Sequence, residues 1–237
     1  MGRAFEFRKA RKMKRWGNMS RLFTKYGRDI AMAVKAGGPS ADSNSRLRAI
    51  IQNARQDNMP KDNIERAVAK ASDKSSADFK EMVYEGYGPH GVAILVETAT
   101  DNTTRTVANL RAIFNRNGGT LGNSGSVDFM FDRKCRFKIP KMEMDLEEFE
   151  FELIDVGGEE AFEDEEGDGI VIYGEFASFG TIQKFLEDKG YSIIKAEFER
   201  IPSDTKVLNE EQQEEVNKLI EKIEEDDDVQ NVYTTMA

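Results

Sequence analysis

The chain reads as an α+β protein: an N-terminal helical bundle followed by two ferredoxin-like α/β domains, one inserted in the other. Three observations predict this. Apolar residues recur at helical spacing through the first 74 positions, whereas from about Glu81 stretches with strand alternation take turns with stretches of helical period. The final helix and strand have no sheet of their own to join, so they must return to an earlier one. At 237 residues the chain is too long for one small module and long enough for two or three domains with modest cores.

From Asn18 to Ala36, the residues Met19, Leu22, Phe23, Tyr26, Ile30, Ala33 and Val34 fill one face of a helix, closed by Gly37, Gly38 and Pro39. A second helix begins near Ser43 with Leu47, Ile50, Ile51 and Ala54 inward. A third starts at Pro60, suited to a first helical position, and turns Ile64, Ala67, Val68 and Ala71 inward. Gly91 to Thr100 is an apolar strand, and Asp101-Asn102 caps a helix with Val107, Leu110, Ile113 and Phe114 buried, closed by Gly118-Gly119. Val127, Phe129 and Phe131 alternate as the next strand.

A second α/β grammar then starts afresh. Cys135, Phe137 and Ile139 form a strand, Asp145 to Asp155 an acidic helix, and Ile170 to Tyr173 a strand after the loop Glu163 to Gly169. A helix capped by Ser178 carries Ile182, Phe185 and Leu186, and a strand carries Ile194, Ala196 and Phe198. This is the order of a split βαβ sandwich. The last helix opens at Asn209 with Gln212 at its third position, and a strand follows near Val229 to Thr234. The domains are therefore expected at 1–78, at 79–133 plus 204–237, and at 134–203.

Charge points to a partner. The first 74 residues hold 18 lysines and arginines against 7 acidic residues, and the remaining 163 hold 16 against 37. A cationic module is joined to an anionic body, and a polyphosphate is the natural ligand of the module. The candidate contacts are Arg8, Lys9, Arg11, Lys12, Lys14 and Arg15 in the arm from Arg3 to Arg15, then Arg21, Lys25 and Arg28 opposite the apolar face of the first helix. Arg46, Arg48 and Arg55 follow on the second helix, Lys61 and Arg66 on the third. Phe5, Phe7 and Trp16 punctuate the arm; Trp16 either stacks on an exposed base or packs against the bundle. The acidic domains repel phosphates and are better suited to a protein surface, such as that of a ribosomal protein or polymerase.

The search for other chemistry returns little. His90 lies in a Gly/Pro turn with no nucleophile motif beside it, and no catalytic residue is assigned. Glu163-Asp164-Glu165-Glu166 with Asp168 lacks the spacing of an EF-hand and reads as a solvated loop. Gly118 to Ser126 is glycine-rich, but it follows a helix and lacks the Gly-Lys-Ser/Thr of a P-loop; a tight turn and a backbone contact surface for nucleic acid both fit it. One cysteine and one histidine cannot build a usual zinc or iron–sulfur site, and no cofactor is expected. No apolar stretch matches a membrane span or signal peptide, so a cytoplasmic protein without membrane contact is expected.

Four motifs carry a resemblance over essentially the whole chain. Asn58-Met59-Pro60-Lys61-Asp62-Asn63-Ile64-Glu65-Arg66-Ala67 is followed by Tyr84-Glu85-Gly86-Tyr87-Gly88-Pro89. Thr100-Asp101-Asn102 with Arg105-Thr106, and Gly118-Gly119 with Leu121-Gly122 and Gly125-Ser126-Val127, complete the set. In this order they resemble the YebC family. The resemblance implies a helical N-terminal domain and two α/β domains around a cleft, and a non-enzymatic, DNA-binding transcriptional regulator. Relatives linked to translational activation and to relief of stalled ribosomes imply the alternative, a translation factor that binds ribosomal RNA. The opening departs from the family's usual Gly-His-Ser-Lys-Trp and Lys-His-Arg-Lys stretches. Here Gly2-Arg3-Ala4-Phe5-Glu6-Phe7 precedes Arg8-Lys9-Ala10-Arg11-Lys12, which keeps the charge. His90 stands where the family commonly has Gly.

Overall fold

Helix α1 (Met19–Gly37) carries its apolar stripe as expected, burying Tyr26, Ile30, Ala33 and Val34. Helices α2 (Ser45–Gln56) and α3 (Lys61–Ser72) follow; Pro60 stands one position earlier than expected, as the N-cap. The structure, a computed structural model, describes residues 19–73, 78–164 and 167–237. The arm from Arg3 to Arg15, with Phe5, Phe7 and Trp16, lies outside the described residues, as do Glu165 and Glu166 of the acidic loop.

Strands β1 (Lys80–Tyr87) and β2 (Ala93–Thr100) form an antiparallel hairpin, paired from Lys80 with Thr100 to Tyr87 with Ala93. Helix α4 (Thr103–Arg116) and the two-residue strand β3 (Thr120–Leu121) come next. The following segment contains β4 (Phe131–Pro140), α5 (Leu146–Ile154), β5 (Gly158–Glu163), β6 (Gly169–Glu175), α6 (Phe179–Asp188) and β7 (Lys195–Pro202). Helix α7 (Glu210–Glu224) and strand β8 (Val229–Thr234) complete the order. No helix among the described residues is long and apolar enough to cross a membrane.

The described residues divide into two compact units, the first within 1–32, 77–132 and 201–237, the second within 33–76 and 133–200. The first unit is built on a sheet of order β3-β1-β2-β8. Strand β8 pairs antiparallel with β2, so the final helix and strand return to the first sheet. Their capping box is complete: the Asn209 side chain accepts from the Gln212 amide, and the Gln212 side chain accepts from that of Asn209. On one face of β2, Ile94 and Val96 pack with Leu110 and Phe114 of α4 and with Val216, Leu219, Ile220 and Ile223 of α7. On the other, Ala93 and Leu95 meet Val127 and Phe131. Burial on both faces explains why this strand is apolar without alternation.

Gly86 is required by this packing. A Cβ there would lie 2.6 Å from the Thr120 carbonyl oxygen and 2.8 Å from the Phe114 ring. Gly86→Ala is expected to destabilise the first unit by about 1–3 kcal/mol, the ordinary range for overpacking. The check is a lower urea midpoint with an unchanged m-value.

The second unit has the strand-helix-strand-strand-helix-strand succession and sheet order β5-β6-β4-β7, which is the split βαβ arrangement. Its core joins Phe137, Ile139, Ile170 and Ile172 to Phe149 and Leu153 of α5 and to Phe179, Ile182 and Leu186 of α6.

Strand expectations differ in several places: β1 runs through Tyr84 to Tyr87, the start of a stretch whose glycines and proline read as a turn before the strand at Gly91. Asp128 to Met130 forms a short 3₁₀ turn with Phe129 76% exposed, and one strand runs unbroken from Phe131 to Pro140 instead of two. Period-two alternation counted Phe129 as inward, but the turn directs it to solvent. Strand β5 escaped detection because Ala161 is the one apolar side chain it buries among Glu159, Glu160 and Glu163.

Candidate nucleic-acid interface

Helices α2 and α3 present most of the described candidate cations, and the start of α2 is set by Asn44. Its Oδ1 accepts from the Leu47 amide at 3.0 Å, and its Nδ2 donates to the Ala33 and Gly38 carbonyls at 2.8 and 2.9 Å. Asn53, buried on the inner face of α2, donates from Nδ2 to the Ala196 carbonyl at 2.6 Å, and its Oδ1 accepts from the Ala196 amide at 3.0 Å. These bonds fix the helix about its axis and leave Arg55 exposed on the other side. The turn to α3 passes through Asn58 in the left-handed region, φ 61°, and Met59 donates back to the Ala54 carbonyl at 2.8 Å. Ile64 and Ala71 hold α3 down, while Lys61, Arg66 and Lys70 are exposed. Lys61 lies 3.6 Å from Glu65, a surface pair that costs little to break, and Arg66 donates to the Asp62 carbonyl and to Asn63.

Other candidates are engaged within the fold. Arg48 makes a two-pronged ion pair with Glu187, at 2.9 and 3.1 Å, and donates to the Ala41 carbonyl at 2.8 Å. Lys25 donates to the Gln230 carbonyl at 3.2 Å. Arg28 donates to Asp228 at 2.7 Å and to the Ala99 carbonyl at 2.8 Å, and its guanidinium lies 5.2 Å from the centre of the Phe79 ring. Arg21 and Arg46 are half-buried. The stripe of Arg21, Lys25 and Arg28 is therefore not uniformly open to solvent, and neither is the outer face of α2. A helical wheel ranks side chains by polarity and cannot see an acidic partner far along the chain.

That partner was hidden in the run Glu224 to Asp228, which resembles any solvated acidic stretch. Asp228 is 2% exposed. Its carboxylate accepts from Arg28, from Arg105 Nη2 at 2.8 and 2.9 Å, from Thr106 Oγ1 at 2.7 Å and from Thr100 Oγ1 at 3.2 Å. Burial pushes its carboxyl up, but the hydrogen bonds from Arg105, Thr106 and Arg28 outweigh burial and hold it below its ordinary range. The motif from Thr100 to Thr106 thus serves the fold. Asn102 caps α4 by accepting from the Arg105 amide at 3.0 Å, and the motif's hydroxyls and guanidinium grip Asp228.

A second buried carboxylate organises the glycine-rich loop. Glu85 Oε1 accepts from the Gly125 amide at 2.7 Å, and Oε2 accepts from the Val127 and Asp128 amides at 2.7 and 2.8 Å. The Gly122 amide donates to the Glu85 carbonyl at 2.7 Å. Amides that could have cradled a phosphate hold an anion of their own chain, so the loop is an internal brace. Tight contacts at Gly119 and Gly122 and a φ of 84° at Gly125 explain its glycines.

His90 also sits in the left-handed region, φ 61°, with Nε2 2.8 Å from Glu215, and Lys206 Nζ donates to its carbonyl. Burial pushes the Cys135 thiol up to about 12, which leaves it no nucleophilic character at neutral pH. Among the described residues, no group of three or more His, Cys, Asp or Glu side chains could hold a metal ion.

Comparison with known proteins places this architecture. The TACO1/YebC protein N-terminal domain matches residues 3–74, and the TACO1/YebC second and third domain matches residues 79–236. The chain is similar to a "probable transcriptional regulatory protein" of Flavobacterium psychrophilum, 63% identical over 236 residues covering 100% of this chain and 99% of that one. It is also similar to a protein of the same description from Porphyromonas gingivalis, 60% identical over 237 residues, covering 100% and 97%. The crystal structure of a conserved hypothetical protein from Aquifex aeolicus superposes with a TM-score of 0.78 at 37% identity, covering 93% of this chain and 90% of that chain. Matched by family models along nearly its entire length, the chain belongs to the TACO1/YebC family.

Proposed function

We propose that this protein is a non-enzymatic, cytoplasmic regulator of gene expression that grips DNA phosphates through its basic N-terminal segment. The observation that carries the reading is the segregation of charge: 18 basic and 7 acidic residues in the first 74 positions, on a chain whose remainder is strongly acidic. The contacts we assign in the described part are the exposed Arg55, Lys61 and Arg66, together with the half-buried Arg21 and Arg46. Arg8, Lys9, Arg11, Lys12, Lys14 and Arg15 of the arm add further positive charge. The description of relatives as probable transcriptional regulators supports duplex DNA as the ligand.

A second reading starts from the solvent face of α3. It offers Lys61, Asp62, Glu65, Arg66 and Lys70, with no Asn or Gln row to read base edges. Contacts confined to phosphates suit structured RNA as well as DNA, and a translation factor seated on ribosomal RNA meets that description. Crosslinking in growing cells with sequencing of both nucleic acids separates the two: discrete promoters support the first reading, and reads dominated by ribosomal RNA replace it with the second.

Arg55→Gln, Lys61→Gln and Arg66→Gln together are expected to leave the fold intact, because all three side chains are exposed. Affinity for a labelled duplex should fall, and the slope of log affinity against log salt should become shallower by roughly 2–3, about one per lost phosphate contact. Unchanged affinity and slope would remove α2 and α3 from the interface.

A further inference from the structure

We propose that the outer face of α5 is a docking surface for a cationic, amphipathic segment of another protein, independent of the nucleic-acid contact. Helix α5 buries Phe149 and Leu153 in the core of the second unit. Its opposite face carries two large apolar side chains: Phe151, 72% exposed, and Ile154, 59% exposed. They stand three residues apart and so lie side by side on the helix surface, with Glu147 one turn before Phe151 and Asp155 one turn after it. Glu147, Glu148 and Asp155 are exposed around them. Phe149 and Leu153 already satisfy the core, so the placement of Phe151 and Ile154 in water is not explained by folding.

Charge decides what covers them. From Met142 to Gln183 the sequence contains 15 acidic residues and no Lys, Arg or His; Lys189, from beyond this stretch, reaches Glu152 of α5 at 2.7 Å, and against Glu147, Glu148, Glu152 and Asp155 it leaves the border net acidic. Nucleic acid and anionic lipid surfaces are repelled by such a rim. A second copy docking through the same face in a two-fold dimer would set Glu147, Glu148 and Asp155 against their own counterparts. A partner with Lys or Arg flanking one or two aliphatic side chains matches both the apolar centre and the acidic border. Helix-in-groove recognition uses the same combination of apolar anchors and charged rim.

The test uses the full chain and two fluorescein-labelled synthetic peptides of equal charge, one alternating lysine with leucine in helical period and one with every leucine replaced by serine. Fluorescence anisotropy at physiological salt is expected to show at least tenfold tighter binding of the lysine/leucine peptide. Phe151→Ser combined with Ile154→Ser keeps every charge and should abolish that preference, while Glu147→Gln, Glu148→Gln and Asp155→Asn together should weaken both peptides. NMR shifts of the wild-type protein on peptide addition are expected at 146–155. The proposal is overturned if the leucine-dependent preference survives the double serine variant, if the shifts map to other helices, or if sedimentation shows that wild type, but not the double variant, self-associates. Should the double variant fail to fold, Ile154→Ser alone and the shift map decide the matter by the same criteria.

Discussion

Replacing Asp228 by alanine is expected to destabilise the first unit by about 3 kcal/mol or more, because it leaves the guanidinium of Arg28 buried without its anion and strips two hydroxyls of their acceptor. The side chain of Asp228 is 3% exposed and that of Arg28 14%, so this pair is screened little by solvent. Arg105, at 46%, adds less. Asp228→Asn should fall between wild type and Asp228→Ala, since its amide oxygen still accepts from some of these donors. Urea unfolding of the three proteins checks the order. The same network fixes a pH dependence. The folded-state pKa of Asp228 lies below its unfolded value, so its contribution is fully present above about pH 4 and is lost as pH falls through the unfolded value toward the folded one. The stability difference between wild type and Asp228→Asn should therefore shrink below about pH 4 and be flat between about pH 5 and 8.

Replacing Glu85 is expected to release the glycine-rich loop. Glu85→Ala loses three charge-assisted bonds to backbone amides and leaves those amides in a site that was 4% exposed, a loss of about 2–4 kcal/mol. Glu85→Gln separates charge from shape. Its single carbonyl oxygen can serve Val127 and Asp128, but its amide group then faces the Gly125 donor, and two donors cannot bond. A cost of about 1–2 kcal/mol follows, with hydrogen exchange at Gly125 rising more than at Val127. Equal protection of all three amides in Glu85→Gln would contradict this geometry. Because the loop's anion site is filled by its own chain, neither substitution is expected to alter nucleic-acid affinity in proportion to its effect on stability.

Much of the fold was legible in the sequence because it depends on local periodicity. The stripe from Met19 to Val34, the Asn209 and Gln212 capping box and the unpartnered last strand all lead to elements the structure contains. What escaped prediction depends on distant partners. Nothing around Asp228 distinguishes it from the four acidic residues before it; only its position opposite Arg28 and Arg105, 200 and 123 residues away, gives it a role. The same distance hid the internal partners of Arg28 and Arg48, since a polar residue on the outer side of a wheel looks the same whether it meets water or a carboxylate. Glu85 lay inside a motif that identified the family, yet its partners are backbone amides, which no side-chain pattern reveals. Strand β5, with one buried apolar residue, gave periodicity nothing to detect.

The place of β8 in the first sheet bears on how the chain is made. A ribosome delivers β2 roughly 130 residues before the strand that covers its far edge. Throughout that interval Ile94, Leu95 and Val96 border an open row of amides and carbonyls, the kind of edge that recruits strands from other chains. Residues 133–200, which contribute the whole β5-β6-β4-β7 sheet apart from its strand ends, emerge and can collapse in the meantime. Nascent chains arrested before residue 229 are therefore the species at greatest risk of aggregation, and chaperone occupancy should peak there and fall once α7 and β8 have cleared the exit tunnel.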